Sequence, residues 1–156
     1  MVEATSDFIG IAHYWGQNCA FDPGRPQEQF VHRFNVPGVP VTDMGYSADP
    51  SWMRIVLNEL RGLGKPVYIT ENGLATTDDE RRQTYLDDIL SNVALAIRDG
   101  VDVRGYFHWT NMDNFEWARG YSAKFGLIAV DRKTLERTVK PSGRHYARIA
   151  TANGLA

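Results

Sequence analysis

The sequence lacks the features that mark several common classes of protein. Its 156 residues contain one cysteine, Cys19, which excludes an internal disulfide and metal sites built from spaced cysteines. No run of about 18 apolar residues occurs, so no segment has the character of a transmembrane helix. The net charge of −2 gives no long-range attraction to nucleic acid or to an anionic membrane. We therefore expect neither a nucleic-acid partner nor a membrane partner.

The N-terminus also lacks a recognisable targeting signal. Residues 1–7 contain neither a basic region nor an apolar core, so we expect no secretion signal. The single cysteine makes a reducing, cytoplasmic location the default expectation. The length suffices for one domain with a sizeable core, and we expect residues 1–156 to form it.

Strand-like and helical patterns alternate along the chain. The apolar run at 66–70 predicts a strand buried on both faces, as in a parallel sheet. The acidic segment 77–80 predicts a capping box that opens a helix, and Asp99 and Gly100 end that helix. The other predicted elements are strands at 8–14 and 103–109 and helices at 47–64 and 142–152. Strands that alternate with helices favour an α/β fold with a parallel sheet.

Two of the predicted helices carry apolar residues at helical spacing, which predicts the faces that they bury. In the first helix these residues are Trp52, Ile55, Val56, Leu60 and Leu63. In the second they form two rows, Tyr85, Ile89, Val93 and Ile97 beside Leu86, Leu90 and Ala94.

Glu71 lies where the second strand meets an Asn-Gly turn. In barrel enzymes, strand ends that open into loops carry the catalytic residues. A carboxylate at such a position can act as a nucleophile or as a general base. An acidic turn residue paired with an arginine explains the same segment equally well, so the residues alone leave both interpretations open.

A dense segment of aromatic and polar residues follows the third strand. Glu116, between two aromatic residues, can accept hydrogen bonds from vicinal sugar hydroxyls or form a buried ion pair with Arg119 or Lys124. Trp109 and Trp117 can stack on the apolar face of a pyranose or pack in the core. The polar neighbours of these tryptophans favour a binding site.

Tyr14 ends the first strand, so in a parallel sheet it faces the same edge as Glu71. The phenol of Tyr14 can donate a hydrogen bond to the carboxylate of Glu71. Such a bond would keep the carboxylate ionised and fix its orientation. His13 and His108 lie on different strands without a recognisable ligand spacing. We expect them to be satisfied structural histidines rather than metal ligands.

Together these segments resemble glycoside hydrolase family 1, the retaining β-glucosidases and their relatives. Ile69-Thr-Glu-Asn-Gly73 looks like the nucleophile signature of that family. The other matching stretches are 7–11, 42–45, 105–121, 124–127, 130–131 and 137–142. The resemblance covers nearly the whole chain. It implies a partial (β/α)8 TIM barrel, made of about the last three strand-helix units with a parallel sheet.

The resemblance also assigns catalytic roles, residue by residue. Glu71 matches the nucleophile that forms the glycosyl-enzyme, and Tyr14 matches the tyrosine that hydrogen-bonds it. The family resemblance implies no cofactor and no metal. The implied reaction is hydrolysis of the O-glycosyl bond of a β-glucoside or a related sugar by double displacement.

Four further residues match the substrate-binding positions of the family. Trp109 matches the platform beneath the sugar, and Phe125 matches a ring that lines the same pocket. Glu116 and Trp117 match the pair that grips the hydroxyls of the non-reducing sugar.

One catalytic element of the family is absent from the sequence. The acid/base glutamate of the family lies in an Asn-Glu-Pro motif, and this sequence contains none. We therefore expect the chain alone to hydrolyse β-glucosides poorly or not at all. The alternative is a non-catalytic sugar-binding or assembly fragment that pairs with a complementary N-terminal barrel portion or with a second copy.

Overall fold

The computed structural model describes residues 5–155, so part of the segment 1–7, in which we expect no secretion signal, lies outside the described residues. In chain order the strands are β1 (Ile9–Ala12), β2 (Asn18–Phe21), β3 (Val31–Phe34), β4 (Val67–Asn72), β5 (Val103–His108), β6 (Ile128–Val130) and β7 (Arg137–Val139). The α-helices are α1 (Ser51–Leu60), α2 (Asp79–Arg98) and α3 (Pro141–Ala152). Short 3-10 helices span Pro26–Glu28, Arg61–Leu63 and Trp117–Arg119. Between residues 5 and 155, no helix combines the length and apolar character that crossing a bilayer requires.

The central sheet is parallel, as predicted. Its three strands run in the order β1-β4-β5, with β4 in the middle. Val67 of β4 lies opposite both Ile9 of β1 and Val103 of β5. The carboxyl ends of all three strands therefore meet at one edge of the sheet, which places the residues after them close together.

The helices cover one face of this sheet and form the core with it. Helix α2 packs against α1 on one side and against α3 on the other. The completely buried apolar residues of this core include Met53, Leu57, Val67, Ile69, Ile89 and Ala96.

The opposite face of the sheet is open, so the predicted burial of β4 on both faces is wrong. Val67 and Ile69 are fully buried, but Thr70 is exposed and Tyr68 is half-buried. Phe8 and Phe107, on the same face as Tyr68, expose 53% and 57% of their surface. Within residues 5–155 no element packs over these rings.

Helix α1 starts four residues later than predicted and turns a different face to the core. Ser47 donates its backbone N–H to the side chain of Asn35 and accepts a hydrogen bond from Val36, so a loop contact occupies the predicted start. Met53 and Leu57, spaced by four, are the buried residues. The predicted stripe was therefore wrong in part, because Ile55 and Leu63 are about half exposed.

Helix α2 follows the predicted pattern in part, since Leu90 is half-buried and Ala94 is exposed. Its N-cap is Asp78 rather than the predicted Thr77, and the Asp78 carboxylate accepts hydrogen bonds from the N–H groups of Glu80 and Arg81. The row of Tyr85, Ile89 and Val93 is buried, together with Leu86, but Ile97 is 49% exposed. The helix ends at the predicted Asp99 and Gly100, and Gly100 has a φ of +96°.

Two short antiparallel hairpins, β2–β3 and β6–β7, were not predicted. Their strands have three or four residues and are mostly exposed, so they lack the alternation of apolar and polar residues that marks a half-buried strand. The first hairpin occupies the segment after β1 that looked like a polar loop.

Candidate active site

The carboxyl edge of the parallel sheet brings two predicted site residues into contact. Glu71 is the fifth residue of β4, and Tyr14 follows β1 by two residues. The Tyr14 hydroxyl donates a hydrogen bond to Glu71 Oε2 at 2.9 Å. This contact is the geometry that the sequence predicted for the pair.

The ring of Tyr14 packs against a small buried group that includes an aromatic side chain. The ring of Phe125 is almost completely buried and meets the Tyr14 ring edge-on at a centroid distance of 5.9 Å. Tyr14 and Trp109 both pack against the small buried group formed by Ala75, Ala123 and Phe125. The fold therefore brings four of the six predicted site residues, Tyr14, Glu71, Trp109 and Phe125, to one edge of the sheet.

Glu116 lies near this group without the ion pair considered above. Its Oε2 accepts a hydrogen bond from Asn114 Nδ2 at 2.8 Å. Arg119 donates to the backbone of Met44, and within residues 5–155 no salt bridge joins Glu116 to Arg119 or to Lys124. The carboxylate thus keeps acceptor capacity for a further hydrogen-bond donor.

The electrostatics of the site keep the Tyr14 phenol protonated. Burial raises its pKa most, and the hydrogen bond to Glu71 and the charges of Glu71 and Glu116 raise it further. Burial also raises the pKa of Tyr46, with a contribution from Glu116. Tyr14 is therefore a hydrogen-bond donor to Glu71 at neutral pH and not a base.

Trp117 differs from the other predicted site residues in its exposure. Its side chain exposes 82% of its surface, at the start of the 3-10 helix Trp117–Arg119. Nothing in the described part of the chain buries this indole, so its face is available to a ligand or to another polypeptide.

The two histidines near the sheet edge are less satisfied than predicted. The Nδ1 atoms of His13 and His108 are both buried and have no hydrogen-bond partner within residues 5–155. His108 Nε2 lies 3.4 Å from the carbonyl oxygen of Phe125. No cluster of three or more His, Cys, Asp or Glu side chains in this described region could hold a metal ion.

The ring of His108 makes the stability of the chain dependent on pH. Burial lowers its pKa to about 4, and the nearby charges of Arg82 and Lys140 act in the same direction. Because the unfolded chain binds this proton with a pKa of about 6.5, the free energy of unfolding falls as the pH drops from about 6.5 to 4. The expected contribution is about 3 kcal/mol, and it levels off below pH 4.

Urea unfolding at several pH values measures this contribution. His108→Gln removes this ring, so it should reduce the dependence between about pH 4 and 6.5 and leave the part that comes from His13, whose pKa burial also lowers. His32→Gln, at an exposed position in β3, is the matched control and should keep the wild-type dependence. An unchanged pH profile in His108→Gln would contradict the assignment to His108.

Two buried polar residues near the site were not predicted. Asn72 is fully buried directly after Glu71, and Arg82 is 1% exposed in the first turns of α2. The sequence signal for Asn72 is its place directly after Glu71 in the Asn-Gly pair, a pattern that by itself indicates only a turn. Arg82 lies in a charged stretch, 78–82, that looks like a solvated helix start.

Comparisons with known proteins agree with this arrangement. The family model for Glycosyl hydrolase family 1 matches residues 1–155. The chain is 39% identical to a 1,4-beta-D-glucan glucohydrolase of Thermotoga neapolitana, over 96% of this chain and 35% of the relative. It is 38% identical to beta-glucosidase A of Thermotoga maritima, over 99% of this chain and 36% of the relative. It thus spans about a third of the length of these relatives.

Solved structures give the same result. A beta-glycosidase from Pyrococcus horikoshii matches with a TM-score of 0.90 and 38% identity, over 97% of this chain and 36% of that one. A beta-glucosidase from Thermotoga maritima in complex with glucoimidazole matches with a TM-score of 0.90 and 36% identity, over 99% of this chain and 36% of that one. The three strand-helix units are therefore part of a TIM barrel, and the sheet that residues 5–155 form has three strands and is not closed. The chain belongs to glycosyl hydrolase family 1.

Proposed function

We propose that this chain carries the nucleophile half of a retaining β-glucosidase site, with Glu71 as the nucleophile. The single observation that carries the proposal is the hydrogen bond from Tyr14 to Glu71 at the carboxyl edge of adjacent parallel strands. Family membership and the names of the relatives, β-glucosidases among them, support glucosides as the substrate class. No cofactor or metal enters the proposal.

The first chemical step uses the oxygen of Glu71 that Tyr14 leaves free. Tyr14 donates to Oε2, so Oε1 attacks the anomeric carbon of the sugar. The bond from that carbon to the aglycone oxygen breaks, and the aglycone leaves with the electron pair. The product of this step is a covalent glycosyl-enzyme, which water hydrolyses in the second step of the retaining reaction.

The sugar-binding roles follow the same proposal. Trp109 provides the platform beneath the sugar ring, and Phe125, in contact with Tyr14, lines the same pocket. Glu116 accepts hydrogen bonds from sugar hydroxyls with the capacity that Asn114 leaves free. Trp117, whose indole is exposed, binds the non-reducing sugar together with Glu116.

The missing acid/base residue decides which substrates can react. A retaining site needs a second carboxyl group about 5 Å from the nucleophile, first to protonate the leaving oxygen and then to activate water. No Asn-Glu-Pro motif supplies one, and the proposal assigns Glu116 to binding. An alkyl glucoside needs that proton, whereas a dinitrophenyl glucoside has a leaving group stable enough to depart without it.

The test compares these two leaving groups on the purified chain. With 2,4-dinitrophenyl β-glucoside we expect a burst of up to one equivalent of dinitrophenolate, followed by a stall, because no general base activates water. Azide, a nucleophile that needs no base, should restart turnover and yield β-glucosyl azide. Methyl β-glucoside should give no glucose. Hydrolysis of both glucosides at similar rates would contradict the proposal.

The assembly alternative is favoured by one specific observation, the open aromatic face of the sheet. Phe8, Tyr68 and Phe107 share this face, and the outer edges of β1 and β5 are free of strand partners within residues 5–155. Unpaired strand edges and exposed rings favour association with a complementary barrel portion or with a second copy. The mass of the chain in solution separates a monomer from a dimer.

Two remaining expectations form part of the proposal. Residues 1–156 act as one domain, which the shared core of α1, α2 and the sheet supports. A cytoplasmic location is supported by Cys19, whose thiol is exposed and unpaired.

A further inference from the structure

Strand β4 is irregular immediately before its catalytic end. Pairing with β1 skips Thr70, and pairing with β5 is interrupted after Ile69 and resumes at Asn72. A bulge of this kind turns the side chains within it away from the regular ladder. Glu71 lies inside the irregular segment. The direction of its side chain therefore depends on the contact that fixes the strand after the bulge.

That contact is made by the side chain of Asn72, which is fully buried. Asn72 Nδ2 donates hydrogen bonds to the carbonyl oxygen of His13 at 2.7 Å and to the hydroxyl of Tyr85 at 3.0 Å. Its Oδ1 accepts a hydrogen bond from the hydroxyl of Tyr106 at 2.8 Å. Both amide hydrogens and the amide oxygen therefore have partners, which fixes the orientation of the side chain.

Asn72 also connects the ends of all three strands. Its carbonyl oxygen accepts the backbone N–H of Trp109 at 2.8 Å, and its side chain holds the residue before Tyr14. A Cβ at Gly73 would lie 1.8 Å from the carbonyl oxygen of Trp109, so only glycine allows this approach. Asn72 thus follows Glu71 directly and is hydrogen-bonded to Trp109 and to the residue before Tyr14.

We propose that Asn72, held by Tyr85 and Tyr106, is the positioning residue of this site. It touches no substrate. It fixes the end of β4 after the bulge, so that the carboxylate of Glu71 points at the anomeric carbon while Tyr14 and Trp109 keep their places on either side. This inference rests on the proposed function and deepens it, since it names the residue that aims the nucleophile.

The test compares Asn72→Ala with Leu57→Ala, which truncates a fully buried residue of α1 that takes no part in the hydrogen bonds of Asn72. Both variants are assayed at a temperature where circular dichroism shows them folded. In Asn72→Ala we expect the rate constant of the dinitrophenolate burst to fall by about 10- to 100-fold, with the half-saturating glucoside concentration changed by less than about threefold. Leu57→Ala should keep the wild-type rate constant.

Amide hydrogen exchange gives a readout that needs no activity. In Asn72→Ala the exchange of the His13 and Trp109 amides should accelerate by about tenfold or more relative to that of Ile69, deeper in β4. Uniform acceleration along the sheet, or an unchanged burst rate constant, would overturn the proposal. If Asn72→Ala does not fold, Tyr85→Phe, which removes one acceptor of Asn72 Nδ2, should show the same pattern at smaller amplitude.

The two proposals fail in different ways. Wild-type chain that gives no burst refutes the proposed function, because Glu71 then forms no glycosyl-enzyme. The exchange measurement still decides whether Asn72 holds the strand ends, and selective acceleration at His13 and Trp109 supports that part. A normal burst in Asn72→Ala refutes the positioning role alone.

Discussion

Replacement of Glu71 by Gln is expected to abolish the dinitrophenolate burst, with a fall in rate on the order of 10³-fold or more. The amide of Gln is nearly isosteric with the carboxylate but is not a nucleophile towards the anomeric carbon. Tyr14 can still donate to the amide oxygen, so the loss should be chemical rather than structural. Stopped-flow absorbance of dinitrophenolate, with unfolding curves of both proteins, measures the two effects separately.

The matched control is Glu59→Gln, the same change at an exposed position of α1. It should keep the burst amplitude and the rate constant of the wild type. A burst that survives in Glu71→Gln would assign the nucleophile to another residue. In that case the hydrogen bond between Tyr14 and Glu71 would be structural only.

Replacement of Arg82 by Met is expected to lower the free energy of unfolding by about 3–5 kcal/mol. The guanidinium is buried and paired with Asp79, and it donates to the carbonyl oxygens of Thr76 and Lys124. Asp79 in turn accepts two hydrogen bonds from Ser142 at the start of α3. Met fills much of the volume but leaves these acceptors without their donor.

The large effect reflects the place of Arg82 in the fold. It joins the loop that follows β4 to the loop that precedes Phe125, so it supports two sides of the candidate site. Urea denaturation measures the loss. Arg104→Met, which removes an exposed partner of Asp102, is the matched control and should leave the unfolding curve unchanged. Equal curves for the two variants would show that the buried network contributes nothing.

The sequence predicted those parts of the site that depend on strand order and spacing. Tyr14 and Glu71 end two strands that pair in parallel, so their contact follows once both strands and the parallel sheet are recognised. The end of α2 was predicted for a similar reason, because Gly100 acts locally, and the N-cap was predicted to within one residue.

The remaining features depend on contacts between distant segments, which local patterns do not contain. Arg82 is buried because carbonyl groups of two loops converge on it from positions 6 and 42 residues away. The side chain of Asn72 is held by hydrogen bonds to the hydroxyls of two distant residues, Tyr85 in α2 and Tyr106 in β5. The open face of the sheet was mispredicted because apolar residues in β4 do not reveal whether a partner covers them.

The most direct test of the central claim is the identity of the residue that becomes glycosylated. The chain is incubated with 2,4-dinitrophenyl 2-deoxy-2-fluoro-β-glucoside, whose fluorine slows release of the glycosyl-enzyme, and its intact mass and proteolytic peptides are measured. We predict one fluoroglucosyl group per chain, on the peptide that contains Glu71, and none on Glu71→Gln. No label, or a label on any other residue, would contradict the assignment of Glu71 as the nucleophile.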